Sequence, residues 1–511
     1  MTEGLALDLT RLRDETSLAG DYPDSFTVVA QGYLWLERMG AQRLLAVLTP
    51  ADAHSGGGFH GNRAGEVLGH SLLLCPLDAH NAARVRQVIG SLSPIPLGLR
   101  TSAGFGDRLG LATPGHVRAL RRVREPADRN GIAPIFAQQS IREMDRTGRS
   151  ALDVLDDATW GAFQAGWPDP VGADADHLKT PDDIDRTAAC GYSLYTIDPG
   201  AFVDDEADTA EPDAIRQSLE TLPWEELATD LADLRRRYTG RQLELDNRSI
   251  PIDDEVLARA AVKYGRAIAH VGRMYRHLLS KDAPFELEVS VDETETPTSH
   301  AEHAYIAGEL SRLGVQWISL APRFVGSFEK GVDYLGDLDT LLADLDGHAA
   351  IAQSFGPYKL SLHSGSDKFL VYPLIQEATQ GLVHLKTAGT SYLEALRVVA
   401  QVDPGLFRAI LSFARDHYER DRATYHVSAT LSRVPAPSSL GDGDLEGLLD
   451  DFDARQVLHV TFGSALGVFR ARLMQLLSTH EDAYAGALER HFVRHLAPFA
   501  RTLHATQVDS T

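Results

Sequence analysis

The spacing of hydrophobic and polar positions along the chain changes after about residue 90. Before that point, short apolar runs such as RLLAVLTP and HSLLLCP alternate with turn-rich stretches such as HSGGGFHGNRAG. Apolar runs of this length, bounded by glycine and polar residues, are typical of short strands. We therefore predict a small mixed α/β layer over residues 1–92.

From residue 93 onwards, short β-type runs recur, and several of them are followed by helical periodicity. Eight runs have this character: IPLGLRTS, PIFAQQS, PVGADADH, YSLYTIDP, FELEVSVDETE, WISLAPRF, KLSLHSG and LVHLKTAG. Strands that alternate with helices form parallel sheets, and eight of them favour a closed barrel over an open sheet. The pattern predicts an α/β fold with a (β/α)8 TIM-type barrel over residues 93–392.

Two segments depart from this alternation. Helical patterns such as IRQSLETLPWEELATDLADLRRRY and EVLARAAVKYGRAIAHVGRMYRHLLS follow the fourth run, and they predict a helical insertion over about residues 203–280. After the last run, the chain is predicted to form a mainly helical C-terminal extension over residues 393–511. Either helical segment could also form a homo-oligomer interface, and the sequence leaves that question open.

Composition and charge narrow the range of partners. The 511 residues are 43% hydrophobic and 24% charged, as in an ordinary globular protein, and the net charge is -23. Such an acidic surface repels phosphate backbones, so a nucleic-acid partner is not expected. The sequence has no apolar run long enough to span a membrane and no signal-peptide pattern, and its two cysteines form no disulfide framework. A cytoplasmic enzyme acting on a small molecule is the expectation.

The run FELEVSVDETE places carboxylates where a barrel normally has apolar side chains. Alternate residues of a strand share one face, so Glu286, Glu288, Ser290 and Asp292 are predicted to point into the barrel. Carboxylates buried there are costly unless a cation or a proton neutralises them. Glu288, together with Asp292 and Glu293 at the strand end, is therefore a candidate site residue. The alternative is a strand at an edge, with these groups in solvent.

Two other predicted strands end in histidine. Asp176 and His177 close PVGADADH, and such a pair can supply a general base and a metal ligand. Because neighbouring strand residues point apart, one is expected to face the metal and the other the substrate. The alternative is a capped loop. His363 ends the strand in SLHSGSDKF, where a loop of small residues allows close approach of an oxygen-rich ligand.

The remaining candidates lie on the last two strands and in one loop. LVHLKTAGTS contains His384, which could equally be a core histidine, and Lys386, which needs an anionic partner inside a barrel. Lys386 could alternatively form a Schiff base. In WISLAPRFVGSFEKG, Arg323 could bind a carboxylate with two hydrogen bonds. Glu329 in the same run could be a metal ligand or a plain charge at a helix start.

These runs are long enough to indicate a family. EVSVDETETPT, ISLAPRFVGSFEKGVDYLGD, SLHSGSDKF and HLKTAGTSYLEALRV, within about residues 285–400, closely resemble the tagaturonate epimerase family of hexuronate catabolism. GADADHLKT and GFGDRLG extend the resemblance towards the N-terminus. A looser resemblance connects the chain to the accessory subunits of tagatose-bisphosphate aldolases.

The resemblance implies interconversion of D-tagaturonate and D-fructuronate with a divalent metal, which could be Zn, Mn, Co or Ni. It also implies roles for individual residues. The implied metal ligands are His177, Glu329 and His363, and the implied proton-transfer pair is Asp176 and Glu288. Asp292 and Glu293 compete for these carboxylate roles or contact the substrate. Candidates for binding its carboxylate are Arg323, Lys386 and Lys368.

The chemistry of this reaction favours a carbon–carbon bond cleavage. The two keto acids differ at a carbinol carbon β to the ketone, whose C–H bond the carbonyl does not acidify. In a retro-aldol route, a base takes the β-hydroxyl proton, the bond opens to an aldehyde and an enediolate, and the bond re-forms on the other face of the aldehyde. A metal acting as a Lewis acid assists this step.

Three alternatives use the same residues differently. A ketohexose 4-epimerase acting on tagatose or fructose would make the same bond changes on a neutral sugar. A class II-type aldolase would release the two fragments. A non-catalytic barrel subunit would bind a partner enzyme and would not need a complete ligand set.

Overall fold

The computed structural model describes residues 9–16, 18–40, 42–51, 56–124, 131–245, 248–387 and 389–500. The ends of the predicted N-terminal layer and C-terminal extension, residues 1–8 and 501–511, lie outside the described residues. The strands are β1 (Thr27–Val29), β2 (Gly32–Met39), β3 (Gln42–Pro50), β4 (Asn62–Val67), β5 (His70–Cys75), β6 (Ser102–Phe105), β7 (Ala133–Ser140), β8 (Gly172–Leu178), β9 (Leu194–Ile197), β10 (Arg241–Leu245), β11 (Arg248–Ile252), β12 (Glu286–Val291), β13 (Ser319–Pro322), β14 (Lys359–Leu362) and β15 (Val383–Thr387). The helices are α1 (Leu9–Thr16), α2 (Ala79–Val88), α3 (Thr113–Val123), α4 (Ile141–Thr147), α5 (Ala151–Gln164), α6 (Pro181–Ala188), α7 (Pro212–Glu220), α8 (Leu231–Tyr238), α9 (Asp254–Leu279), α10 (His300–Arg312), α11 (Leu338–Phe355), α12 (Tyr372–Thr379), α13 (Thr390–Val402), α14 (Pro404–Asp421), α15 (Phe452–Val460), α16 (Phe462–Thr479) and α17 (Glu481–Ala500).

The N-terminal layer is an antiparallel sheet of five strands in the order β1-β2-β3-β5-β4. Alternation along β2 sends Leu34 and Leu36 into the main core of the molecule, whereas Tyr33 and Trp35 enter a second, smaller core. Both faces of the central strands β2 and β3 are therefore buried, which explains why their sequences are mostly apolar rather than alternating.

The predicted barrel is present. All eight predicted runs supply strands, which close in the order β12-β13-β14-β15-β6-β7-β8-β9 with every pair parallel. The first strand begins at Ser102, at the end of the run IPLGLRTS. Before it, Gly98 has a φ of 69°, and the amides of Leu97 and Gly98 donate hydrogen bonds to the Glu286 carboxylate. These bonds hold the preceding residues in a turn, so the strand cannot start earlier.

The insertion after β9 differs from the prediction in one respect. It contains the helices α7 and α8, but also the antiparallel hairpin of β10 and β11, in which Leu245 pairs with Arg248. The last helix of the segment, α9, packs against α10 and has an apolar face buried in the main core. It therefore serves as the crossover helix that returns the chain to β12.

The C-terminal extension is helical, as predicted, and packs on the barrel. The helix α17 lies against α3 and α13. Its approach to α3 is close, because a Cβ atom on Gly115 would lie 2.5 Å from Cβ of Leu488. Among the described residues, no helix is long and apolar enough to cross a membrane.

Candidate functional site

Polar side chains converge at the carboxyl ends of the barrel strands. Asp176 and His177 lie at the end of β8, His363 directly follows β14, and Lys386 lies near the end of β15. Glu288 lies within β12. The carboxyl ends of barrel strands meet at one face of the barrel, where TIM-barrel active sites are found. The structure therefore brings together residues that are up to about 200 positions apart in the sequence.

The end of β8 is distorted, and the distortion changes where its side chains point. The pairing of β8 with β9 shifts register between Ala175 and Leu178, and His177 has a φ of 55°, in the left-handed region. In a regular strand Asp176 and His177 would point apart, as the sequence predicts. Instead Nδ1 of His177 lies 3.2 Å from Oδ1 of Asp176, and both side chains face the same cavity. That part of the prediction is wrong because of the bulge.

Two histidines and one aspartate form a group suited to a metal ion. One side-chain ligand atom from each of His177, Asp292 and His363 lies within 4.8 Å of the other two. Oδ1 of Asp292 is 3.1 Å from Nδ1 of His363 and 4.0 Å from Nε2 of His177. Two imidazole nitrogens and a carboxylate oxygen are the donor set of many catalytic sites for divalent metals. The residues present therefore fit such an ion.

Glu329, which the resemblance implies as a metal ligand, is not part of this group. Its Oε2 accepts hydrogen bonds from the backbone amide and hydroxyl of Ser428, at 2.9 and 2.7 Å, and from Nε2 of Gln456 at 2.7 Å. The side chain is turned towards the C-terminal extension and is 4% exposed. The structure thus places the carboxylate of Asp292, and not that of Glu329, beside the two histidines.

Lys386 forms the centre of a buried charge cluster. Its ammonium lies 2.9 Å from Asp174, 2.6 Å from Asp176 and 2.8 Å from Glu288. Burial opposes the charge, but the three carboxylates outweigh this effect and hold the pKa of Lys386 well above its usual value. Lys386 therefore has the anionic partners that its sequence position requires. A Schiff-base nucleophile must be an unprotonated amine, and the raised pKa of Lys386 disfavours that state.

Glu288 lies beneath the site rather than in its open space. Its Oε1 is 2.7 Å from Nε2 of His363, and its Oε2 accepts a short hydrogen bond from Ser319. The side chain is completely buried and does not line the cavities described below. The structure therefore places Glu288 to orient His363 and to neutralise Lys386. His384 is also completely buried, with Nδ1 2.9 Å from the Ser102 hydroxyl, as expected for a core histidine.

The open space above these residues has two parts. An outer groove of about 540 Å³ lies within the range of ~300–1,000 Å³ that is usual for small-molecule sites. A smaller inner cavity of about 30 Å³ is lined by Asp176, His177 and Lys386. Five residues line both parts, and they mark where the groove meets the cavity: Arg142, Lys330, His363, Ser364 and Tyr425.

The sequence-predicted contacts to the substrate fall in different places. Arg323, Asp292 and Glu293 line the outer groove. Glu293 also accepts a hydrogen bond from Arg142 at 3.2 Å. Lys368 does not line the groove. Its ammonium donates hydrogen bonds to the backbone carbonyls of Glu329 and Val332 in one loop and of Ser366 in another. Burial lowers its pKa to about 7. Lys368 therefore holds two loops together.

Several site residues were missed at the level of sequence. Arg142 lies in the first turn of α4, directly after β7, and its position just past a strand end is a signal that could have revealed it. Lys330 lies in the same run as Arg323 but was not singled out. Tyr425, His426 and His459 come from the C-terminal extension, where no sequence pattern indicates proximity to the barrel.

Electrostatics of the site favour a bound cation. Burial lowers the pKa of His177, but the carboxylates of Asp176, Asp292 and Glu293 outweigh it and raise the pKa to about 10. Burial likewise raises the pKa of Asp176, yet Lys386 and His177 hold it well below its usual value. Asp176 is thus ionised, and without a metal ion the raised pKa of His177 keeps its imidazole protonated, so these carboxylates hold a cation between them, either a proton or a metal ion.

Comparisons with known proteins identify the family of this chain. The family model of tagaturonate epimerases matches residues 22–499. A tagaturonate/fructuronate epimerase from Thermotoga maritima is 45% identical over 430 residues, which cover 84% of this chain and 86% of that protein. The native crystal structure of a fructuronate–tagaturonate epimerase from Cohnella laeviribosi is 34% identical, with a TM-score of 0.87 over 96% of this chain and 99% of that one. A glycerol complex of the same Cohnella enzyme gives a TM-score of 0.86 at 34% identity, over 94% of this chain and 96% of that one. The chain therefore belongs to the tagaturonate epimerase family and is an isomerase.

Proposed function

We propose that the protein interconverts D-tagaturonate and D-fructuronate with a divalent metal held by His177, Asp292 and His363. Family membership supports the reaction. The observation that carries the metal requirement is the grouping of two imidazoles and one carboxylate within 4.8 Å at the carboxyl face of the barrel. When bound, a divalent cation supplies Lewis-acid stabilisation to the ketone and hydroxyl oxygens of the substrate, on the order of several kcal/mol.

The reaction requires proton transfer to and from the β-hydroxyl oxygen, and not removal of a proton from carbon. The carbon that inverts is β to the ketone, so its C–H bond is not acidified. In a retro-aldol step, the base takes the proton of the β-hydroxyl, the bond between the α- and β-carbons breaks, and its electron pair moves onto the ketone as an enediolate. The β-carbon becomes an aldehyde, which rotates and is attacked on its other face. The new alkoxide then takes back a proton.

Asp176 and Glu293 are the carboxylates whose positions suit these proton transfers. Asp176 lines the inner cavity and is ionised, as a base must be. Glu293 lines the outer groove, 3.8 Å from Nε2 of His177. Asp176 lies in the inner cavity and Glu293 in the outer groove, so each can take the β-hydroxyl proton in one direction of the reaction. Glu288, the partner implied by the family resemblance, holds His363 instead.

Two further candidate activities use the same groups. An aldolase would release the aldehyde and the enediol product, and a ketohexose 4-epimerase would accept tagatose. Neither is favoured by the comparisons, and both are distinguished by product analysis. Fragments accumulate in the first case, and a neutral sugar reacts as well as the acid in the second.

The test is turnover of D-tagaturonate and D-tagatose by the full-length protein, before and after chelation and after return of Zn, Mn, Co or Ni. We expect tagaturonate to react faster, activity to disappear with chelator, and at least one metal to restore it. Activity that survives complete removal of metal would overturn the metal requirement. For the retro-aldol route, dihydroxyacetone and tartronate semialdehyde should condense to hexulosonate, and failure to form any would count against it.

A further inference from the structure

Lys330 places a positive charge beside the metal group. It lies in the loop after β13, where Ser327 and Leu335 form a β-bridge. Its ammonium donates a hydrogen bond of 2.6 Å to the hydroxyl of Ser364, the residue that follows His363. The side chain lines both the outer groove and the inner cavity. A ligand in the groove that contacts His363 therefore lies close to Lys330.

Unlike Lys386 and Arg108, Lys330 has no fixed anionic partner among the described residues. Lys386 is neutralised by three carboxylates, and Arg108 donates through Nε and a terminal nitrogen to Glu143 at 3.0 and 2.7 Å. Lys368 is held by backbone carbonyls. Among the described residues, no carboxylate lies within salt-bridge distance of Lys330, whose ammonium donates instead to the neutral hydroxyl of Ser364.

Arg142 lies on the same boundary and adds a second cation. Its terminal nitrogen bonds Glu293 at 3.2 Å, its guanidinium carbon lies 5.5 Å from the ring centre of Tyr425, and its Nε is buried without a hydrogen-bond partner in the described part of the chain. Its side chain is 35% exposed, so the guanidinium remains accessible from the groove. A buried donor without a partner is costly unless a ligand completes it.

We propose that Lys330 and Arg142 bind the carboxylate of the sugar-acid substrate. This inference rests on the proposed function and specifies how the site distinguishes a uronate from a neutral ketohexose. A carboxylate between an ammonium and a guanidinium gains charge-assisted hydrogen bonds, which are stronger than neutral ones. The assignment replaces Lys386 and Lys368, whose donors are already engaged, and leaves Arg323 as the rival in the outer groove.

The arrangement also orients the substrate. Asp176 and His177 line the inner cavity, Asp292 lines the outer groove, and His363 lies with Lys330 and Arg142 where the two parts meet. In tagaturonate, the carboxylate is two carbon–carbon bonds from the carbinol carbon that inverts, on the side away from the ketone. With its carboxylate on the cations, the substrate directs its ketone and hydroxyl oxygens towards the metal group.

The test measures binding separately from turnover. Lys330→Met removes the charge and keeps the length of the side chain, Lys330→Arg keeps the charge, and Arg323→Leu removes the rival. Lys281→Met, on a half-buried lysine that pairs with Asp185 away from the site, is the control for loss of a positive charge. D-Galactonate and galactitol, an acid and a neutral polyol that cannot undergo the reaction, are titrated calorimetrically into each metal-loaded protein.

We expect Lys330→Met to weaken galactonate binding by about ten- to a hundredfold, the loss typical of a charged hydrogen bond, and to leave galactitol binding unchanged. It should also raise the KM for tagaturonate more than it lowers kcat, and Lys330→Arg should recover part of the loss. The control should bind like the wild type.

Three results would overturn the assignment. The first is that Lys330→Met binds galactonate as tightly as the wild type does, or that only Arg323→Leu loses galactonate binding. The second is a parallel loss of galactitol binding, which would indicate a structural role. The third is a wild type that does not bind galactonate more tightly than galactitol. Failure of the proposed function appears differently, as a metal-loaded wild type that binds galactonate but does not convert tagaturonate.

Discussion

Oδ1 of Asp292 lies 3.1 Å from Nδ1 of His363, so a carboxylate that follows one barrel strand meets an imidazole that follows another. His177 completes the group from a third strand. One carboxylate and two neutral imidazoles together carry a negative charge, so the group attracts a proton or a metal ion. The same relationship distinguishes Asp292 from Glu329, which bonds the C-terminal extension instead.

Substitution of Asp292 should therefore remove the metal. In Asp292→Asn we expect the metal affinity to fall by more than the ~10–100-fold that loss of a supporting outer residue costs. Glu329→Gln is the matched control and should keep its metal. The measurement is metal content by mass spectrometry after dialysis against graded chelator. Loss of metal in Glu329→Gln with retention in Asp292→Asn would reverse the assignment and restore Glu329 as the ligand.

Removal of the Lys386 charge should lower the free energy of unfolding as well as the activity. Lys386→Met leaves Asp174, Asp176 and Glu288 without their cation, and breaking a buried ion pair on one side costs about 3–5 kcal/mol. We expect a loss of this size in the free energy of unfolding measured in urea. The double variant Lys386→Met with Asp174→Asn should recover part of it, because one uncompensated charge is removed. No recovery would mean that the loss is one of packing.

The barrel could be predicted because its strands carry a repeated pattern. Seven of the eight predicted runs coincide with strands, since the residues facing the helices are apolar even where the interior is polar, whereas IPLGLRTS meets β6 only at Ser102. The hairpin of β10 and β11 was missed because it lies between two strongly helical segments. The start of β6 was misplaced because the turn before it is fixed by Glu286, nearly 190 residues later, and no local pattern contains that contact.

The site could be predicted only as far as individual strand ends. His177, His363 and Asp176 are found in this way, since the ends of parallel strands meet at one face. The carboxylate that completes the group could not be found in this way: the resemblance implies Glu329, whose hydrogen bonds to Ser428 and Gln456 no local pattern reveals, whereas the structure places Asp292 beside the histidines. Tyr425 and His459 depend on how the C-terminal helices pack on the barrel, which is a long-range property.

The different positions of Glu288 and Glu293 predict different defects. Glu288→Gln should loosen His363, lower metal affinity by ~10–100-fold and respond to added metal. Glu293→Gln should keep its metal and lose ~10²–10⁴-fold in kcat, as expected for a proton-transfer group. Steady-state kinetics at saturating metal separate the two. A Glu288→Gln defect that no metal concentration relieves would return Glu288 to a direct role in proton transfer.

The structure also predicts how stability responds to acid, through a histidine remote from the reaction. His116 on α3 is fully buried, with Nε2 3.0 Å from the Ser391 hydroxyl, and burial lowers its pKa from 6.5 to about 3 although Asp107 opposes the shift. Below pH 6.5 the unfolded chain therefore binds a proton at this position that the folded chain does not. Its contribution to stability is complete above that pH and is lost as the pH falls from about 6.5 to about 3.

We therefore compare the wild type with His116→Gln by urea unfolding at several pH values. The difference between their free energies of unfolding should be constant above about pH 7. Between about pH 6 and pH 4, the free energy of unfolding of the wild type should fall relative to that of the variant by about 1.4 kcal/mol per pH unit. Taking the difference cancels other groups that titrate in the same range, including the carboxylates. A difference that stays flat down to about pH 4 would show that His116 binds its proton equally well in the folded chain, and that burial does not lower its pKa.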